Sequence, residues 1–441
     1  MHRWTEPEVL FARIGRSGPA AVWFDGGRSG PAGVSFIGLA STERDLVTAQ
    51  QGRSGSDDPA EELAARLRAR SAATAASSSV LGWWGWLAYE FGAQLHRLQP
   101  AVSDEAGASF AFMDRGVVFD RDAGTLTLSV LAAAPGARSW LTTLARELED
   151  GLIPRDVPAA ASPGRTWRWR HDRDHYLELI RRCQATIARG DAYQLCLTNE
   201  IIVEPGEPID PLQVYLRLRS RMRTRYGGVI RLGDRWLVSG SPELYLSVDT
   251  HGVATTRPMK GTRARGADAA GDALLEAQLL GSEKERAENL MIVDLMRNDL
   301  SRVSEVGSVE VPQLFTVETY QSVHQLVSTV RSVLDVDAIA AVLALFPAGS
   351  MTGAPKRSAM RELDRLEGGP RGVYSGVWGR LPLDGTAELA VVIRSVVLTP
   401  GRATIGTGGG ITALSVPEEE WEEIELKARP MLFAVGAVPS A

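Results

Sequence analysis

Cysteine is almost missing from this chain: its 441 residues contain two, Cys183 and Cys196. Neither lies in a CxxC pair, so neither a zinc site nor a disulfide framework is expected. No apolar run reaches the roughly 18 residues a membrane span needs, so no transmembrane helix is expected. The first residues, MHRWTEPEVLFARIG, carry charges throughout and have no apolar centre, so no signal peptide is expected. Basic residues do not predominate, and the net charge is −6. A nucleic-acid binder needs a basic face to neutralise phosphates, which argues against that class. What is present, 44% hydrophobic and 23% charged residues, is globular composition, long enough for a large core in two lobes. A soluble cytoplasmic protein is the expectation, with no nucleic-acid or membrane partner.

Along the chain, residues 1–55 read as short strands with turns, AAVWFDGG and GVSFIGLA among them, and PAEELAARLRARSAATAA has helical spacing of its apolar positions. Residues 109–131 alternate strongly around an Asp-Ala-Gly turn, a hairpin signal. A helix is expected over 138–149. The stretch Pro154 to Arg165 is rich in Pro, Ala, Ser and Gly and has no period. It is the best boundary between a region 1–155 and a domain 166–437. Beyond it DHYLELIRRCQATIARG predicts a helix closed by Gly190, and AYQLCLTNEIIV predicts a strand. Helices and alternating strands then mix without a βαβ rhythm. That points to an α+β fold with antiparallel sheets rather than a Rossmann or barrel fold. Trp83, Trp84, Trp86, Trp167 and Trp169 read as packing residues.

Several residues carry potential chemistry. Glu285 and Glu288 are three apart in a helical stretch and share one face. Glu420 and Glu423 repeat that spacing, with Lys427 four further on. Acidic residues also simply complement the positive end of a helix, and Pro417 suits a first helical turn. The sharper reading has the two helices facing across a cleft, where four carboxylates hold a hard cation such as Mg2+. Spacing alone does not choose. TTRPMKGTRARG places Lys260 at the end of a strand and a tight turn. Thr352 to Pro355 precede a helix, and Gly408, Gly409 and Gly410 follow a strand; such glycines let backbone N–H groups approach an anion, or form a plain turn. Arg394 falls inside the apolar stretch AVVIRSVVL, either snorkelling at an edge or aimed at a buried carboxylate.

From about residue 170 to 432 these pieces resemble the chorismate-utilising enzymes. The resemblance rests on GDAYQLCLTNE, SGSPELYL, RPMKGTRARG, EKERAENLMIVDLMRNDLSRV, SVHQLVSTV, FPAGSMTGAPKRSAM, RGVYSGVWG, AVVIRSVVL, GTGGGIT and EEEWEEIELKARP. GWWGWLAYEFG extends it weakly toward the N-terminus. It implies a large two-lobed α/β sandwich of antiparallel sheets with helices outside. It implies that Glu288 and Glu423 ligate Mg2+, with Glu285 and Glu420 completing the site through water or substrate, and that the ion holds the ring carboxylate of chorismate. Arg394, Tyr374 and the backbone near Gly409 and Gly410 would hold the pyruvyl carboxylate, with Lys427 nearby. Thr262 and Thr352 would contact substrate, and His324 would lie near the reacting ring. Glu243 resembles the family's general acid, which needs a raised pKa.

Two positions separate the reactions of the family. Gln194 stands where the isochorismate- and salicylate-forming members carry a water-activating lysine, and glutamine cannot serve as that base. Lys260 stands where anthranilate-forming members usually carry alanine. A lysine there resembles the aminodeoxychorismate-forming branch, in which it acts as a nucleophile; its amine would need a lowered pKa. VWFDGG matches the family's tryptophan-binding motif only loosely, with no serine after Asp25. Neither cysteine suits a glutaminase, so a separate glutamine amidotransferase subunit, or free ammonia, is implied. The alternatives are an anthranilate-forming enzyme and a non-catalytic chorismate-binding subunit.

Overall fold

A computed structural model describes residues 4–26, 33–49, 58–74, 77–99, 101, 103, 105–151, 164–204, 208–320 and 323–437. Two large antiparallel sheets make the frame. The first has eleven strands. Its order runs Gly353–Ala354, Gln194–Val203, Arg402–Ile411, Ser395–Thr399, Arg235–Ser241, Tyr226–Leu232, Ala20–Asp25, Val34–Ala40, Arg115–Asp120, Thr125–Val130, with Trp167–Trp169 also on the Gln194 strand. The second has ten. Its order runs Met259–Ala264, Val323–Val333, Val253–Thr256, Leu244–Val248, Ala387–Val391, Val377–Pro382, Gly82–Leu87, Ala108–Met113, Leu46–Ala49, with Glu310–Thr319 also on the Val323 strand.

The strand Ala20–Asp25 explains the layering. Its alternate residues Ala20, Val22 and Phe24 enter the core between the sheets, where Phe36, Trp84 and Phe110 also pack. Ala21 and Trp23 enter a second core with Leu10, Phe11, Tyr215, Leu218 and Met431, beneath helices. Side chains alternate along a strand, so a strand covered on both faces reads as a continuous apolar run. The helices lie outside, as expected of the α+β sandwich. The hairpin around residues 122–124 and the helices Pro59–Ala72, Ala137–Asp150 and Arg173–Ala188 form where the pattern placed them. Gly190 follows the last at φ 82°, the left-handed conformation that ends helices. Pro7–Ile14 is a helix in a stretch that read as strand and turn.

Both sheets draw strands from before and after the expected boundary, of which residues 154–163 lie outside the described ones. Ala20–Asp25 pairs with Tyr226–Leu232, and Gly82–Leu87 pairs with Val377–Pro382. The N-terminal strands therefore complete the sheets that carry the candidate site.

Candidate active site

Lys260 lies on the edge strand Met259–Ala264, not in a tight turn. The turn character of the sequence appears instead as a bulge: the register slips between Lys260 and Thr262, and Gly261 takes φ 73°. A bulge re-aims the side chains beside it. Helix Glu283–Ser301 packs on this strand and starts at Ser282, whose side chain accepts from the Glu285 N–H. Asn289 fixes its rotation. Its amide donates to the Pro258 carbonyl, and its oxygen accepts from Ser328. Glu288 then faces Lys260, with Oε2 3.7 Å from Nζ.

The opposite wall comes from the first sheet. Gly408, Gly409 and Gly410 lie within the strand Arg402–Ile411, paired with Thr198, Leu197 and Cys196, not in a turn after it. Their lack of side chains makes room for others. A Cβ on Gly410 would stand 2.5 Å from Gln194 Nε2 and 2.9 Å from Lys260 Nζ. A Cβ on Gly409 would stand 2.9 Å from Glu420 Oε2. Helix Pro417–Val435 lies along this strand, tied by Thr407 donating to the Ile424 carbonyl and Lys427 Nζ donating to the Gly408 carbonyl at 2.8 Å.

The four glutamates thus come from two helices, one on each sheet, and feel one another's charge. Glu288 and Glu420 are buried; burial first, and neighbouring carboxylates next to it, push both above the ordinary range. Ser415 donates to Glu420 at 2.7 Å. Glu285 lies 3.4 Å from Arg263. Glu423 pairs with Lys427 at 2.5 Å, and although its surroundings desolvate it, Lys427 holds it below the ordinary value.

Glu243 is buried beside this cleft, and burial raises its carboxyl to about 7, against the opposing effects of Ser350, Lys260 and Lys427. Lys260 goes the other way from the lowered value a nucleophile would need. Burial pushes its amine down, but Glu288, Cys196, Glu243 and Glu423 more than offset this, so it lies above the ordinary value. Gln194 is 1% exposed, and neither its amide nitrogen nor its oxygen has a hydrogen-bond partner. A buried amide left unpaired costs free energy, so this one marks a place where another molecule can bind.

Arg394 is not inside a strand. It occupies the corner between Ala387–Val391 and Ser395–Thr399 at φ 52°. Burial lowers its pKa, and only the more distant Tyr374 and Glu423 offset this. Neither of the expected alternatives holds, since it is neither at a strand edge nor in contact with a carboxylate among the described residues. Tyr374 is buried, and Gly406 makes its space: a Cβ there would meet the ring at 2.0 Å. On the far side of Tyr374 a polar hollow of about 250 Å³ opens, bordered by Arg170, Glu200 and Arg371, and reaching none of the four glutamates.

Three expected site residues turn to other work. Thr262 is exposed and donates to Gln325. The Thr352 hydroxyl bonds the Ala348 and Gly349 carbonyls of its own loop. His324 is buried with both ring nitrogens engaged, Nδ1 with Thr319 and Nε2 with Asp272, each at 2.9 Å. The hydroxyl that does reach Glu243 belongs to Ser350, which was not among the expected site residues. Asn289, Asp299 and Lys356 were also missed. They stand inside motifs that resemble the family, and that position was the only available signal.

Relatives among known proteins can now be set beside this geometry. A profile of chorismate binding enzymes matches residues 19–433. The chain is 45% identical over 367 residues to the aminodeoxychorismate synthase of Streptomyces pristinaespiralis, covering 80% of this chain and 51% of that protein. It is 38% identical to anthranilate synthase component 1 of Pseudomonas aeruginosa, over 73% of this chain and 67% of that one. Among solved structures, anthranilate synthase component I from Streptococcus pneumoniae superposes with a TM-score of 0.79 at 27% identity, covering 97% of each chain. The chain spans about half the length of the aminodeoxychorismate synthases of Streptomyces that it matches, 51% and 50%. With an antiparallel double sheet, glutamates brought together from two helices and a profile match over most of its length, the chain belongs to the family of chorismate binding enzymes.

Proposed function

We propose that this chain carries out the chorismate-amination step of an aminodeoxychorismate synthase, turning chorismate and ammonia into 4-amino-4-deoxychorismate and water, for 4-aminobenzoate and folate synthesis. One observation carries the reading: Lys260 Nζ stands 3.7 Å from Glu288 and over Gly410, beside the unpaired amide of Gln194. In this reading Lys260 first loses its proton, which is favoured when Glu288, the main group that raises its pKa, is taken up by a cation. Its neutral amine then forms a bond to ring C2 while the ring double bonds shift and the C4–O bond breaks, and Glu243 gives its proton to the departing hydroxyl, releasing water. Ammonia then bonds to C4, the two ring double bonds shift back, the C2–N bond to Lys260 breaks, and the new C4 ammonium returns a proton to Glu243. A buried acid near 7 suits proton donation at neutral pH. Arg394 and Tyr374 would take the pyruvyl carboxylate, because a buried guanidinium without an ion-pair partner is completed by an anion.

The residues also fit Mg2+. All four candidate donors are carboxylates, the ligand type that hard cations prefer, and two are buried with weakened acidity. Among the described residues no three such groups already surround a point where an ion could sit; Lys260 and Lys427 hold Glu288 and Glu423. Glu288 and Glu423 would hold the ion, with Glu285 and Glu420 beside it. When bound, it supplies positive charge for the ring carboxylate and the developing transition state.

Ammonia is proposed to come from glutamine through a separate amidotransferase subunit. Cys183 and Cys196 are both buried, and burial pushes both thiols up, so neither is a ready nucleophile. No helix among the described residues is long and apolar enough to cross a membrane, and two unpaired cysteines suit the reducing cytoplasm, where we place the reaction.

The test incubates purified protein with chorismate, Mg2+ and ammonium and identifies products by mass spectrometry, with and without an aminodeoxychorismate lyase. Formation of 4-aminobenzoate only with the lyase is expected. Anthranilate formed without it would move the chain to the anthranilate branch. Absence of any chorismate loss would leave a binding role.

A further inference from the structure

Glu243 accepts one side-chain hydrogen bond among the described residues: the Ser350 hydroxyl donates to Oε1 at 2.6 Å. Ser350 sits in the turn Gly349–Met351, and that turn is fastened on every side. Thr352 Oγ1 donates to the Ala348 and Gly349 carbonyls, and Arg371 Nη1 donates to the Met351 carbonyl at 2.7 Å. Just upstream, the buried ammonium of Lys356 donates to the Leu345 and Pro347 carbonyls at 2.7 and 2.8 Å and to Asp299 at 2.6 Å. There is no slack on the helix side either: a Cβ on Gly349 would lie 2.6 Å from Leu295 and Met296. A hydroxyl held this firmly has one orientation to offer.

We propose that Ser350 is a positioning residue for Glu243: by donating to Oε1 it confines the transferable proton to Oε2 and aims that oxygen at the substrate. This deepens the reading of Glu243 as the proton donor and rests on it. An oxygen that already accepts a hydrogen bond is a poor place for a proton. The same donation stabilises the ionised carboxylate, as a hydrogen bond to the charged form does. Ser350 thereby works against burial, together with the positive charges of Lys260 and Lys427, the charged groups that act on Glu243. The hydroxyl keeps the acid from becoming too weak to release its proton.

The test uses the full chain and the variants Ser350→Ala, Ser350→Thr and Glu243→Gln. The Glu243 carboxyl is titrated directly by 13C NMR, with Glu243→Gln identifying its signal, so this readout does not depend on turnover. In Ser350→Ala the midpoint is expected to rise by roughly one pH unit, the size of one charge-assisted hydrogen bond, and Ser350→Thr is expected to return it toward wild type. The alkaline limb of chorismate turnover should move with the midpoint. An unchanged or lowered midpoint in Ser350→Ala overturns the proposal. So does a raised midpoint that threonine fails to restore. A wild-type protein with a normal Glu243 titration but no chorismate turnover would instead sink the reaction reading and the role of Glu243 within it.

Discussion

Two lysines in this molecule, Lys356 buried and Lys260 half-buried, are treated in opposite ways. Lys356 is saturated: Asp299 and two carbonyls accept from it at 2.6 to 2.8 Å. Lys260 has one carboxylate, Glu288, at 3.7 Å, and its ammonium lies over Gly410. Two arginines repeat the contrast. Arg371 bonds both oxygens of Glu367 at 2.7 Å and reaches the Met351 and Cys196 carbonyls, while Arg394 stands at a strained corner with no carboxylate in contact. Lys356 and Arg371, which hold the fold, are saturated by fixed partners. Lys260 and Arg394 are not, and because unmet buried polar groups cost free energy, a partner from outside the chain would stabilise them.

The strongest way to break this contrast is to exchange the lysines' fates. Lys260→Met is expected to lower chorismate turnover by ~10³-fold or more, as loss of a nucleophile does, with denaturant unfolding close to wild type. Lys356→Met should instead lose about 3–5 kcal/mol of stability, because Asp299 is left buried and uncompensated. Equal destabilisation of the two variants would erase the distinction. The arginines sharpen it. Arg371→Leu should cost stability on the same scale, about 3–5 kcal/mol, by stranding Glu367. Arg394→Leu should leave the unfolding midpoint nearly unchanged and raise KM for chorismate at least ~10-fold.

A pH effect comes next in size. The Glu243 carboxyl is raised from 4.5 to about 7. Turnover should therefore fall as pH rises past about 7, where the proton donor is lost. The folded state binds an extra proton between those values, so this group's contribution to stability declines as pH rises through that window. Glu90, raised by burial to about 7 as well, acts in the same sense. A Glu243→Gln protein should be inactive at every pH and show a flatter stability profile in denaturation at graded pH. The smallest effect belongs to Gly410→Ala. Its Cβ would meet only the movable ends of Gln194 and Lys260, so stability should change by under ~1 kcal/mol while turnover drops roughly 10-fold. Gly406→Ala meets the fixed ring of Tyr374 and should cost more stability, about 1–3 kcal/mol.

Much of the fold was readable because local rules act on short windows. Proline at the first turn, glycine after the last, and acidic pairs three apart specify the helices Arg173–Ala188, Glu283–Ser301 and Pro417–Val435 with no knowledge of their neighbours. The glycine run and Arg394 were misplaced for a related reason. A run of glycines reads as a turn, yet it forms strand when a neighbouring strand supplies the hydrogen bonds, as Gln194–Val203 does. Val392, Ile393 and Arg394 read as strand by composition, yet after Val392 the chain turns: Ile393 donates back to the Val391 carbonyl and Arg394 takes φ 52°.

By itself the sequence determined which residue types were on offer as candidates and which helices display the glutamates, since both follow from residue type and spacing along the chain. Only the tertiary structure decided who meets whom: that Gly410 opens the space shared by Gln194 and Lys260, that Lys356 is spent on a loop while Lys260 is not, and that Ser350 rather than Thr352 reaches Glu243. Apart from the loop carbonyls that Lys356 reaches, those partners lie scores of residues or more apart. Their meeting depends on how two sheets pack, and no local preference in the chain encodes a distance between sheets.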